Sequence, residues 1–223
     1  KISALAMPML IFGLIFSFQK KKSLKGIGNV LAGLGFFFLG IHYMKEGFDV
    51  FKQYIDLTEF AMSGILGVIV YTGLGIVITT VLQSSSATLA LILTALSAGQ
   101  IEYENALALA IGANVGTTIT AVLGSLSSNV AGRRLAGAHL IFNVTTGIVA
   151  LAFIFPLATL VNAMSDAFGI SQTDYTLKLA LFHTIFNLIG VIIMIPFIKK
   201  LETFLIKTLN RRLLKKILMS LNT

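Results

Sequence analysis

The 223-residue chain contains no cysteine. It therefore has no disulfide framework, no thiol nucleophile and no thiolate metal site. Charge is also scarce: Asp, Glu, Lys and Arg make up 12% of the residues, against about 25% in soluble domains. With 56% hydrophobic residues and a mean hydropathy of +0.91, the chain is too apolar for an ordinary soluble domain. It reads as an α-helical integral membrane protein. Acidic residues are the rarer sign, 9 against 17 Lys and Arg, for a net charge of +8. The basic excess stands at the ends of apolar runs, where it orients a protein in a bilayer. No basic face is interleaved with aromatics, which argues against nucleic acid as a partner.

The opening KISALAMPML is already apolar and has no initiator methionine. It lacks the layout of a signal peptide. With the basic loop QKKKSLK after Phe18, the first segment reads as a transmembrane helix in a chain that starts partway through a longer protein. Charges divide the sequence into apolar runs at 2–19, 26–44, 61–101, 105–132, 135–165 and 179–198. About 20 helical residues cross the hydrocarbon. Most runs fit one span, and the tail of 135–165 past Pro156 is expected near the interface. The run 61–101 is too long for one span.

Lys and Arg set the orientation. Lys20, Lys21, Lys22 and Lys25 place the first loop in the cytoplasm. Arg133 and Arg134 mark a second cytoplasmic loop, and the basic tail 199–223 a third. The acidic or mixed connections at 45–59, 102–104 and 166–174 fall outside. Both flanks of 61–101 are then on the outer side, so this run enters the membrane and returns. It does so either as two full spans or as a re-entrant hairpin. Its centre, VLQSSSATLA, carries no Lys or Arg, as a cytoplasmic turn usually would, which favours the hairpin. Gln83, Ser84, Ser85 and Ser86 are then near the bilayer centre, where irregular backbone is tolerated only against protein or a water-filled cavity. Gly64, Gly67, Gly73 and Gly75 suit close helix packing on the descending arm.

A second polar cluster, IGANVGTTIT, lies in the run 105–132. Gly112 and Gly116 around Asn114 suggest a local helix break. Two broken elements meeting at mid-membrane is the layout of a secondary-transporter site. The chemistry fits a small anion with cations. Serines at a helix start add hydroxyls to free N–H groups and a partial positive charge, and such an end binds phosphate without a basic residue. Carbonyls freed at a break, the Asn114 oxygen and threonine hydroxyls would serve sodium.

QSSSAT followed by GANVGTT, with GLGFFFLGIHYMKEG before and RRLAGAHLIFN after, resembles the type II sodium–phosphate cotransporter family in its bacterial branch. The resemblance runs from about Gly26 to Ile198. It implies an all-α fold with transmembrane helices, a re-entrant helical hairpin and a broken helix, forming one half of an inverted-repeat transporter. The membrane domain is 1–198, and 199–223 is a basic cytoplasmic interfacial tail. The single QSSS looks like that of the second repeat, so the partners implied are a first repeat, upstream or on another chain, the lipid bilayer, inorganic phosphate and sodium. Self-association is compatible with it. The resemblance assigns phosphate to Gln83, Ser84, Ser85 and Ser86. It assigns sodium, the only metal and a co-substrate rather than a cofactor, to Ser85, Ser86, Asn114, Gly116, Thr117 and Thr118. Thr88, Asn143 and Asn187 are expected to line the site. The expected location is a bacterial inner membrane, multi-pass.

Other features have plainer readings. HLIFN at 139–143 recurs as HTIFN at 183–187, each setting His and Asn four apart on one helix face. They read as interhelical packing bonds or as polar faces lining the site. Residues 44–60 read as an amphipathic surface helix, and His42 as interfacial. Two other functions compete with transport. A serine hydrolase would pair Ser85 with His139 or His183, but no G-x-S-x-G motif is present. A non-transporting structural or assembly domain would follow if no first repeat exists.

Overall fold

The computed structural model describes residues 2–209. Among them every regular element is helical. Inside hydrocarbon the backbone must satisfy its own polar groups, which a helix does within one segment. Stretches long and apolar enough to cross a membrane are Lys22–Phe51, Gly64–Leu82, Tyr103–Ser125, Val130–Ala152 and Tyr175–Thr208. The chain is a multi-pass membrane protein. It divides into two compact units. One comprises the described residues up to Glu59 with Thr94–Gln100, the other Phe60–Leu93 with the described residues from Ile101 onward.

In the first unit, α1 (Ala6–Ser17) and α2 (Lys22–Phe51) form an antiparallel hairpin. Glycine makes the approach close: a Cβ at Gly13 would stand 2.4 Å from the Ala32 backbone nitrogen, and one at Gly28 would stand 2.3 Å from that of Ser17. Two expectations change here. The span expected over 2–19 is a 12-residue helix after a 3-10 turn, about 18 Å long at 1.5 Å per residue. The surface helix expected over 44–60 is not separate, because α2 continues through Met44 to Phe51, and only Leu57–Phe60 forms a further 3-10 turn. His42 Nε2 lies 3.3 Å from Glu46 Oε1, four residues on. This contact supports the helix across the expected boundary.

In the second unit, α3 (Gly64–Leu82), α5 (Tyr103–Ser125), α6 (Val130–Ala152) and α8 (Tyr175–Met194) build the core. α4 (Ser85–Ser97) starts here, and its last residues belong to the first unit. α5 is the central helix, buried along one unbroken stretch from Asn105 to Ala113. α3 runs parallel to it. Asn105 Nδ2 donates to Met62 O at 2.7 Å, Thr72 Oγ1 to Ala108 O at 3.4 Å, and Gly116 lies against Ile76 and Thr79. Both helices therefore begin at the same end, as the outer placement of residues 60 and 102 requires.

The break expected at Gly112–Gly116 is absent: α5 is continuous α-helix from Tyr103 to Ser125. The glycines serve contact instead. A Cβ at Gly112 would stand 2.1 Å from Thr72 O, and one at Gly116 would stand 2.8 Å from Ile76 O. Small residues let two backbones approach in this way inside a membrane.

α6 is capped by Asn129, whose side chain accepts from Gly132 N at 3.0 Å. The long run 135–165 divides at Phe153 into α6 and α7 (Ile154–Ala167). After α8 and a turn containing Pro196, α9 (Ile198–Thr208) folds back on the start of α6. Leu205 is buried against Gly137, and Arg134 Nε donates to Leu209 O at 3.2 Å. α9 is the described part of the expected basic tail; residues 210–223 of that tail lie outside the described residues.

Candidate functional site

The serines stand at a helix–turn–helix tip. α3 ends at Gln83, which adopts the left-handed region at φ 54° and ψ 23°. Its N–H closes the helix on Thr79 O at 2.7 Å. Glycine is the usual residue for this conformation, so a glutamine there is unusual and draws attention to its side chain. The chain reverses at once, and α4 begins at Ser85.

Ser84 caps α4. Its Oγ accepts from Ala87 N at 3.2 Å and its carbonyl from Thr88 N at 3.0 Å. The N–H groups of Ser85 and Ser86 remain free of backbone partners. Two N–H groups therefore point out of one helix start, which also carries the Ser85 and Ser86 hydroxyls. The tip is braced from inside. Thr79 and Thr88 are fully buried; Thr79 Oγ1 donates to Thr88 Oγ1 at 3.0 Å, and Thr88 Oγ1 donates to Ser84 O at 3.0 Å. Thr88, expected to line the site, thus supports it from behind. Ser84 and Ser85 are half-buried, whereas Gln83 and Ser86 are exposed. No charged residue occurs between Glu59 and Glu102.

The tip lies against α5 through Thr79, whose Cβ is 2.8 Å from where a Cβ on Gly116 would be. From that level α3 runs three residues further and α5 nine. The tip therefore stops about 9 Å short of the end of α5.

The GANVGTT residues are split between faces of α5. Gly112 and Gly116 meet α3, Val115 meets Gly147 of α6, and Asn114 meets α8. At 100° per residue, Asn114 is roughly 160–200° around the helix from both glycines. The structure therefore does not join Asn114 to the serines. Instead Asn114 Nδ2 donates to Asn187 Oδ1 at 2.7 Å, Asn187 Nδ2 donates to His183 O at 2.8 Å, and His183 Nε2 lies 3.2 Å from Asn114 Oδ1. Asn143 is buried, with Nδ2 donating to His139 O at 3.0 Å. Thr117 Oγ1 donates to Asn114 O, and Thr118 Oγ1 donates to Val115 O at 2.7 Å. With their protons committed, both hydroxyls offer only lone pairs, which suits a cation. The carbonyls of a broken α5 are not available, since α5 is intact.

Thr79 was missed in the sequence; the signal was a polar pair, Thr79–Thr80, one turn before Gln83 inside an apolar arm. The acyl-transfer reading finds no support. His183 Nε2 faces Asn114, His139 lines a groove of about 460 Å³ at the α5–α6 turn, and among the described residues neither bonds a serine.

Comparison with known proteins adds independent information. The Na+/Pi-cotransporter family model matches residues 1–46 and 57–210. The "Putative inorganic phosphate export protein YjbB" of Salmonella typhimurium is 31% identical over 200 residues, covering 88% of this chain and 35% of that protein. The "Uncharacterized protein YqeW" of Bacillus subtilis is 28% identical over 198 residues, covering 84% and 59%. "Sodium-dependent phosphate transport protein 2C" of Mus musculus is 35% identical over 118 residues, covering 51% and 19%. The chain thus spans about a third of the length of the YjbB relative. No solved structure matches it. The family match takes in both compact units rather than one motif, and on that ground the chain belongs to the Na+/Pi-cotransporter family.

Proposed function

We propose that the chain forms one half of a sodium-coupled transporter of inorganic phosphate, with phosphate bound at the serine tip. The observation that carries this reading is the capped start of α4. Ser84 satisfies the helix, leaving the N–H and hydroxyl groups of Ser85 and Ser86 for an oxyanion. Gln83, held exposed beside them, is the further donor. A neutral site of this kind binds phosphate through dipoles and hydrogen bonds. Sodium then supplies compensating charge reversibly, at Ser85 and Ser86 beside Gly116, with Thr117 next along α5 and Thr118 on the Asn114 side of that helix as further oxygen donors. Asn114 acts from the opposite face of the same helix, bonded to α8 rather than to the ion, Thr88 braces the tip, and Asn143 and Asn187 lie on the neighbouring helices.

The tip is re-entrant in this reading. α4 has 13 residues, about 20 Å of helix, too short for a hydrocarbon core of about 30 Å. The exposed face of the tip is covered by an inverted first repeat. The printed names of the relatives differ in direction, export for YjbB and sodium dependence for 2C. In a coupled carrier the sodium and phosphate gradients together set that direction.

Phosphate binding to the full-length protein tests the site. Ser85→Ala and Ser86→Ala should each weaken radiolabelled phosphate binding, by severalfold to about a hundredfold, since a hydroxyl bond to a charged oxyanion exceeds the 0.5–1.5 kcal/mol of a neutral one. Unchanged binding in both variants would remove the tip from the site.

A further inference from the structure

We infer that His183 and Asn187 are positioning residues of the transport site: by holding Asn114 they fix the rotation of α5, and so the placement of Gly116 against Thr79 behind the serine tip and of the Thr117 hydroxyl one residue on. This rests on the reading proposed above.

The hydrogen bonds between α5 and α8 close into a ring with one direction. The backbone oxygen of His183 can only accept, so Asn187 must turn its NH2 toward it, 2.8 Å away. Asn187 Oδ1 then faces Asn114, which must present its own NH2 at 2.7 Å. That leaves Asn114 Oδ1 toward His183 Nε2 at 3.2 Å, so the imidazole carries its proton on Nε2. The 3.4 Å approach of Asn187 Nδ2 to His183 Nε2 then brings two donors together and is not a bond. Every amide group in the ring has a defined partner, and a slip of α5 against α8 would break the set.

The far side of α5 is closely approached by α3, so a small rotation alters its contacts. Thr79 Cβ and Ile76 O lie 2.8 Å from where a Cβ on Gly116 would be, and Thr72 O lies 2.1 Å from where one on Gly112 would be. α5 is one continuous helix from Tyr103 to Ser125, so a rotation at Asn114 is transmitted to Gly116 two residues later. At a side-chain radius of about 5–6 Å, a rotation of roughly 10° moves an atom by about 1 Å. Errors of that size at a binding constellation can lower rates by up to about a hundredfold. His183 is itself fixed by Phe186, whose ring meets the imidazole edge-on at 5.2 Å.

The test uses the full-length protein in proteoliposomes, reading the sodium and phosphate concentrations for half-maximal phosphate flux. The decisive pair is His183→Gln and His183→Asn. The glutamine amide reaches the Nε2 position and can still donate to Asn114, whereas the shorter asparagine amide cannot. His183→Gln should stay within about twofold of wild type. His183→Asn and Asn187→Leu should raise half-saturating sodium by about tenfold. In an Asn114→Ala background, His183→Asn should add nothing further, as a shared pathway requires. Equal half-saturation in the glutamine and asparagine variants, with only the maximal rate following the amount of folded protein, would overturn the inference and leave the ring as packing. Ser85→Ala in the same assay separates this from the parent reading. If Ser85→Ala shifts phosphate dependence and His183→Asn does not, only the positioning role fails; if Ser85→Ala shifts nothing, the tip assignment itself fails.

Discussion

At the residue scale the three serines are not equivalent. Ser84 spends its oxygen on capping, accepting from Ala87 N, whereas Ser85 and Ser86 have no such duty. Ser84→Ala should therefore cost about 1 kcal/mol of stability, the usual loss of an N-cap, seen as a lower melting temperature of the purified protein. Ser85→Ala should melt like wild type and lose phosphate affinity. Equal melting losses in both variants would contradict the division of roles. Gln83 offers a second comparison. Relief of its left-handed backbone by glycine is worth about 1 kcal/mol, set against about 0.5–1 kcal/mol for glycine's greater freedom when unfolded. Gln83→Gly should leave stability near wild type, so any fall in phosphate binding reports the lost side chain. The serine tip was legible in sequence because polar residues stand out in a charge-free apolar run. The different task of Ser84 was not legible, since adjacent serines look alike until the helix start is placed.

At the element scale the informative case is α5. Glycine flanking asparagine reads as a helix break in sequence, and in the structure it is a contact surface. The two are chemically the same signal: a missing side chain both loosens a helix and opens its flank, and only the neighbour decides which matters. The register of α3 against α5 is what decides here. Gly112→Ala would drive a Cβ to 2.1 Å from Thr72 O, whereas Gly73, on the outer face of α3, meets nothing within 4 Å. Gly112→Ala should destabilise by about 1–3 kcal/mol, as overpacking does, and Gly73→Ala should be harmless. Similar melting temperatures for the two would contradict the parallel α3–α5 pairing. The membrane-spanning helices themselves were legible, because apolar length is a direct requirement of the bilayer. The division at Phe153 and the continuation of α2 past Met44 were not, as both turn on local contacts rather than composition.

At the scale of the whole molecule, charge and helix direction can be compared within the second unit, where they agree. Arg133 opens α6, whereas Glu102 precedes α5 and Asp174 caps α8. Single cysteines at Lys21 and Arg133 should react with an impermeant maleimide from the cytoplasmic side, and those at Asp56 and Glu102 from the outside. Opposite accessibility of Asp56 and Glu102 would exclude a re-entrant tip, since residues 61–101 would then cross the membrane outright. In the proposed function phosphate is coupled to sodium through the serine tip. Phosphate movement by the full-length protein in proteoliposomes under imposed sodium gradients of either direction, for wild type and Ser85→Ala, tests that coupling. Phosphate should accumulate on the side toward which sodium flows and reverse when the gradient is reversed, and Ser85→Ala should need a higher phosphate concentration for the same flux. Phosphate movement indifferent to the sodium gradient, or a Ser85→Ala protein with wild-type concentration dependence, would contradict it.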